Sequence, residues 1–246
     1  MQFIDTHLHL QDYKTGFATD IVKEALIGGV DRLVCVATGM FDWDKVARFA
    51  KQYTGTVVPA FGLHPWYLQE AKPDWLPRLR EYPARFPEAL IGECGLDGIK
   101  NPDDEPQNSV FCQHILLAEE LKRPLIIHAV RAQEWLENYW DMLPAKFVFH
   151  SYNGKREVLK KILKAGGYVS FSASILRNAD KEELVNMVPA DKLLLETDGP
   201  YQGPDKNAEV TPAYIPRLAE KIAGWRGENL PDFAARVYQN SLEFIH

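Results

Sequence analysis

Short runs of Val, Ile, Leu and Phe alternate along this chain with longer stretches in which apolar and charged residues recur at helical spacing. The apolar runs predict strands at residues 3–9, 32–37, 56–63, 89–95, 124–129, 146–150, 167–172 and 192–197. The stretches between and after them predict helices at 20–27, 42–53, 75–85, 107–121, 132–142, 156–165, 181–188 and 212–223, and a last helix at 230–245. Eight such alternations imply parallel strands with crossover helices, and the 246 residues suit a (β/α)8 TIM barrel, an α/β fold usually built from ~250. No internal repeat, low-complexity tract or Gly/Ser linker interrupts the pattern, so residues 1–246 read as a single domain. Three loops dense in Pro, Gly, Asp or Asn, at 65–73, 97–106 and 199–211, follow strands and fall on the face where such barrels build their active sites.

Composition changes this picture little, with 46% hydrophobic and 25% charged residues being ordinary for a globular domain. A formal charge of −6 argues against an architectural nucleic-acid binder, which needs a broad basic surface, but it leaves room for a nuclease whose bound cations supply the positive charge. Cys35, Cys94 and Cys112 are odd in number and lack Cys-x-x-Cys spacing, which points to reduced core residues of a cytoplasmic protein. No run approaches the ~20 apolar residues of a membrane span.

The candidate chemistry begins at Asp5-Thr6-His7-Leu8-His9. Residues two apart on a strand share a face, so both imidazoles can point at one ion. Glu93, His128, His150 and Asp198 stand at or just beyond the ends of four other strands, and with His7 and His9 they converge on the C-terminal mouth of the expected barrel. Mixed imidazole and carboxylate donors suit first-row divalent ions better than Ca2+, and six protein ligands exceed the needs of one tetrahedral ion. Two divalent ions, Zn2+, Mn2+ or Mg2+, are therefore expected, with Glu93 as the bridge because Gly92 and Gly95 permit close approach. A pair of ions ~3.5–4 Å apart favours hydrolysis by in-line displacement. Glu196, two residues before Asp198, shares the inward face and is expected to hydrogen-bond a ligand histidine.

Taken together, Asp5-Thr6-His7-Leu8-His9, Gly62-Leu63-His64-Pro65, Ile91-Gly92-Glu93-Cys94-Gly95-Leu96-Asp97, Ile127-His128 and Leu195-Glu196-Thr197-Asp198-Gly199-Pro200-Tyr201 resemble the motifs of the TatD-type metal-dependent deoxyribonucleases, in that family's order. Gln107, Phe111 and Gln113 with Leu117-Ala118, and Asn240 with Phe244, extend the resemblance over nearly the whole chain. The resemblance implies a phosphodiesterase acting on DNA, especially single-stranded ends. It implies one metal held by His7, His9, Glu93 and Asp198 and a second held by Glu93, His128 and His150. It also implies that Asp198 orients or deprotonates the attacking water, and that His64 stands near the substrate phosphate rather than on a metal.

Departures from the family pattern lie in the parts that grip substrate. The segment after strand six is His150-Ser151-Tyr152-Asn153-Gly154, the arginine after His128 is shifted to Arg131, and the loop after Asp198 carries Gln202-Gly203-Pro204-Asp205-Lys206-Asn207 in place of Arg-Gly. These changes leave open a hydrolase of a small ester, lactone, amide or aminoacyl-tRNA, or a nuclease-like subunit that needs a protein partner. Trp66, Tyr67, Tyr152 and Tyr201 are candidates to stack on bases. Lys155, Arg156, Lys160, Lys161 and Lys164 read as a solvated helix face whose N-terminal end is within the reach of a phosphate.

Overall fold

Every apolar run becomes a strand. In the computed structural model, which describes residues 1–14, 17–100, 104–178 and 181–246, eight strands pair in parallel and in chain order: β1 (Phe3–Leu8), β2 (Val30–Val36), β3 (Val57–Phe61), β4 (Leu90–Asp97), β5 (Leu125–Val130), β6 (Phe147–Phe149), β7 (Tyr168–Phe171) and β8 (Leu193–Leu195). Parallel neighbours need long crossovers, and helices supply them: α1 (Ala18–Ile27), α2 (Trp43–Gln52), α3 (Trp75–Arg85), α4 (Asp104–Leu121), α5 (Gln133–Leu136), α6 (Arg156–Lys164), α7 (Glu182–Asn186) and α8 (Ile215–Arg226), followed by α9 (Leu230–Ile245). The expected (β/α)8 barrel is the fold. Of the predicted loop at 97–106, residues 101–103 lie outside the described residues.

The helices follow from amphipathic spacing and end signals. On α6, Leu159 and Ile162 are buried while the lysines face outward. Asn229 caps α9 by accepting from the Asp232 N–H at 3.4 Å, and α8 stops at Gly227 in the left-handed region. One helix was expected at 132–142, but α5 is a single turn and the chain resumes as a short 3-10 segment at Trp140–Met142. Tertiary docking overrides local spacing here: Tyr139 packs edge-on against Phe111 of α4, and its hydroxyl donates to Asn108 Oδ1 at 2.7 Å. Another 3-10 segment, Pro65–Glu70, occupies most of the predicted loop at 65–73.

All eight strands contribute to one apolar cluster, which is therefore the lumen: Ile4, Val34, Val36, Val58, Ala60, Leu90, Ile126, Val148, Tyr168 and Leu194. Phe244 and Ile245 of α9 join it and plug the base of the barrel. Asn240 fastens that plug, its amide donating to the carbonyls of Ala190 (2.8 Å) and Leu193 (3.0 Å).

Counting by twos from the lumen residues brings Thr38, His64, His128, His150 and Glu196 inward at the opposite end, but it would turn His7, His9 and Glu93 outward. Irregular pairing reverses them. Between Asp5 and Leu8, β1 advances three residues against two on β2, and between Ile91 and Cys94, β4 advances three against two on β5. Both strands whose parity must change carry such a bulge. At the other seam, among the described residues, an isolated Leu8–Gly199 bridge stands in place of a regular β8–β1 ladder. Thr6 Oγ1 donates to the Leu195 carbonyl (3.0 Å), Asp198 N–H to the His7 carbonyl (2.8 Å) and His9 N–H to the Gly199 carbonyl (2.7 Å).

Candidate metal centre

The six expected ligands meet at the mouth. His7 and His9 present Nε2 atoms 3.2 Å apart, and Asp198 Oδ1 lies 3.7 and 3.3 Å from them. Glu93 stands between two groups: its Oε2 lies 3.5 and 3.8 Å from His7 and His9, while its Oε1 lies 3.2 Å from His128 Nδ1 and 2.8 Å from His150 Nε2. Glu93 was expected at the end of its strand, but β4 continues to Asp97 and carries Glu93 in its interior. The flanking glycines make this possible. A Cβ at Gly92 would lie 2.6 Å from the Ile126 carbonyl oxygen, and one at Gly95 would lie 2.0 Å from that of His128. Asp198 has φ +51°, a left-handed conformation that Asp tolerates better than most residues and that often marks functional positions.

Hydrogen bonds set the histidine tautomers. His9 Nδ1 faces the Val36 carbonyl at 2.9 Å, and a carbonyl only accepts, so the proton sits on Nδ1 and the Nε2 lone pair faces the centre. By the same logic His150 Nδ1–H donates to Glu196 Oε1 (3.3 Å), and His128 Nε2–H donates to Asp97 Oδ2 (3.0 Å). Both then turn their other nitrogen toward Glu93. His7 is the exception: among the described residues its buried Nδ1 has no partner, and its ring stacks on His150 at 4.0 Å.

His64 is oriented the other way. Its Nδ1 accepts the Trp66 N–H at 3.1 Å, so the neutral ring carries its proton on Nε2, which donates to Glu93 Oε1 at 3.3 Å. His64 is a donor at the mouth, whereas His9, His128 and His150 turn toward it the nitrogen opposite their donated N–H.

This donor set fits divalent ions. Ligand histidines commonly give their second N–H to a carboxylate or carbonyl, as His9, His128 and His150 do. Two nitrogens ~2.1 Å from one tetrahedral ion lie about 3.4 Å apart, close to the His7–His9 spacing of 3.2 Å. Facing lone pairs at that distance repel unless a proton or a cation lies between them. Accordingly, although burial pulls His9 down, its hydrogen bond to Asp198 and the charges of Asp198 and Glu93 hold its imidazolium up to about 9. Burial alone would raise Glu93, but the surrounding imidazoles hold its carboxyl well below the usual range. Burial, aided by His128, pushes His64 down to about 4.

Above the centre opens a cleft of about 470 Å3 lined by His9, His64, Glu93, His128, His150 and Asp198, with Asp97 and Lys100 on one wall and Tyr201 and Gln202 on another. Trp66, Tyr67 and Tyr201 line it too, and Trp66 and Tyr201 are substantially exposed. Tyr152 also lines the cleft but is largely buried. It is 6% exposed, its ring packs in the core and its hydroxyl donates to the Lys155 carbonyl at 2.6 Å. The basic residues of α6 and its start stay off the lining, with Arg156 paired to Glu183 and Lys161 to Glu137.

Asp97 is the participant that sequence reading gave no role. Beside His128, it accepts from Trp66 Nε1 (2.7 Å) and from the N–H groups of Ile99 and Lys100 (both 2.8 Å). Its signal was its spacing, since Glu93, Gly95 and Asp97 share one face of β4. Asp5 ties the seam together by accepting from Thr197 N–H (2.9 Å) and Thr197 Oγ1 (2.5 Å), with burial raising its carboxyl to about 7.

The family described as TatD related DNase matches residues 4–246. The 3′-5′ ssDNA/RNA exonuclease TatD of Pantoea vagans is 32% identical across 92% of this chain and 94% of its own length. Deoxyribonuclease TATDN3 of Homo sapiens is 29% identical across 98% of this chain and 94% of its own. The crystal structure of YJJV, a TatD homologue from Escherichia coli K12, superposes with a TM-score of 0.88 at 25% identity, covering 98% of this chain and 97% of that one. Sequence match and shared barrel run through the same strand ends that gather the histidines and carboxylates, and by both the chain belongs to the TatD-related DNase family.

Proposed function

We propose that this protein, read as one barrel over residues 1–246, is a cytoplasmic phosphodiesterase that cleaves single-stranded DNA with two divalent ions, Zn2+, Mn2+ or Mg2+. The observation that carries the reading is the split presentation of Glu93, one carboxylate oxygen toward His7 and His9 and the other toward His128 and His150. His7, His9, Glu93 and Asp198 would hold one ion, and Glu93, His128 and His150 the other. When bound, such ions acidify water and neutralise charge on a phosphodiester.

The chain's own residues do the rest. Asp198, held ionised by its hydrogen bond to His9 despite burial, orients the attacking water and accepts its proton. His64, with its proton on Nε2, donates to a nonbridging phosphate oxygen where it now donates to Glu93. Glu196 and Asp97 hold the rings of His150 and His128 in the required tautomers. No helix among the described residues is long and apolar enough to cross a membrane. The names of the relatives add RNA as a second substrate and a 3′-to-5′ polarity.

The test is digestion of end-labelled single-stranded DNA with each metal, beside Glu93→Ala and Asp198→Asn. A product ladder, reduced at least about 10³-fold in both variants, is the expected result, and the ladder reads polarity directly. Faster turnover of small esters than of DNA at equal metal loading would overturn the reading.

A further inference from the structure

The cleft is crowded with negative charge. Asp12, Glu93, Asp97 and Asp198 all line it, and among the described residues Lys100 is the only Lys or Arg that does so. Arg131 is exposed and stands outside the lining, and Arg177 is engaged elsewhere, its Nε donating to the Gly203 carbonyl at 3.0 Å. The histidines surround Glu93, so beyond the ions this mouth has one permanent cation with which to hold an anionic polymer.

Lys100 is built for that task. Its backbone N–H donates to Asp97 Oδ1, and the other oxygen of Asp97 accepts from His128 and from the Trp66 indole. The root of Lys100 is thus joined through one carboxylate to a histidine of the centre. Its ammonium rests 4.9 Å from the centroid of the Trp66 ring, on a residue that is itself exposed at the rim. An ammonium held on an aromatic face keeps its charge available, because the ring neutralises no charge as a carboxylate would. The backbone is fixed and the charged tip is exposed, so little ordering is needed when an anion arrives.

We propose that Lys100 is the phosphate anchor of the substrate channel, gripping a backbone phosphate that flanks the scissile one while Trp66 keeps its ammonium at the rim. The proposal rests on the phosphodiesterase reading and sharpens it, because it requires a substrate with at least two phosphates. A compact ammonium suits a single phosphate oxygen, with no demand for the two-pronged geometry of arginine.

The experiment measures kcat and KM on oligo(dT) over a range of KCl for the metal-loaded wild type, Lys100→Gln, Lys100→Arg and Lys160→Ala, the last on the outer face of α6. Loss of one contact to a single-strand phosphate lowers the slope of log(kcat/KM) against log[KCl] by about 0.7. Lys100→Gln is expected to show that loss with KM raised several-fold and kcat changed less, Lys100→Arg to restore the slope, and Lys160→Ala to keep it. An unchanged slope in Lys100→Gln, failure of Lys100→Arg to restore it, or an equal loss in Lys160→Ala would overturn the anchor. A wild type that hydrolyses bis(p-nitrophenyl) phosphate but leaves oligo(dT) intact would also overturn it while sparing the phosphodiesterase reading. Hydrolysis of neither substrate would remove both.

Discussion

At the base of the barrel Ile4, Val58, Leu90 and Leu194 are sealed beneath Phe244 and Ile245, while at the mouth of the same strands Asp5, His7, Glu93 and Glu196 are just as deeply buried. Apolar burial at the base is favourable without further conditions. Burial at the mouth strips water from ionisable groups, which is unfavourable unless each finds a partner. The mouth meets that demand through its tautomer-setting hydrogen bonds, yet among the described residues it leaves His7 Nδ1 unpaired and the Nε2 atoms of His7 and His9 turned toward one another. The difference teaches that one end of the barrel is arranged for stability while the other gathers groups that could hold cations, and the two can be broken separately.

The largest separation is expected from Phe244→Ala. Removing a buried phenyl ring destabilises by about 3–5 kcal/mol and lowers the melting temperature on the order of 10 °C. Calorimetry should record that loss while metal content of the folded fraction stays at the wild-type level. A fall in metal content matching the fall in melting temperature would mean that base and mouth are coupled.

A smaller effect is expected from Glu196→Gln, which weakens the acceptor of His150 Nδ1–H and of the Ser170 hydroxyl. Loss of such a support typically lowers metal affinity about 10–100-fold. Titration against a chromophoric chelator reads it, and an affinity equal to wild type would make Glu196 a packing residue only.

The subtlest difference is in pH dependence after chelation. His9 is held up to about 9, and His128 and His150 are raised in the same direction, each against the pull of burial. Groups raised above their unfolded value stabilise fully below it, so the metal-free protein should lose stability as pH rises from about 6.5 toward 9. His7 and His64, which are lowered, and the depressed carboxylates of Glu93 and Asp198 finish their changes below that window. Saturating metal should flatten the slope, because ligand nitrogens then hold no exchangeable proton. A metal-free protein whose urea midpoint rises across this range would contradict the assigned partners.

Much of this was legible in the chain. The eight strands follow from apolar runs, and the six candidate ligands follow from His-x-His and the strand-end residues, because a parallel barrel delivers every strand end to one face. Asp97 was within reach of the same period-two argument applied to β4. The break at α5 was not, since nothing local announces that Tyr139 prefers α4 to its own helix. Tyr152 and Tyr201 are both aromatics on mouth loops, and only packing against the core buries the first and leaves the second exposed.

By itself the sequence determined the number of strands, their order and the kinds of donor atoms at their ends, because periodicity and residue chemistry are local properties. The tertiary structure alone decided which way those donors face. Bulges on β1 and β4 reverse the parity of His7, His9 and Glu93, and a backbone N–H from Trp66 makes His64 a donor at the centre. Register and tautomer are both set by the neighbouring strand or loop, and no residue carries that information before its neighbour arrives.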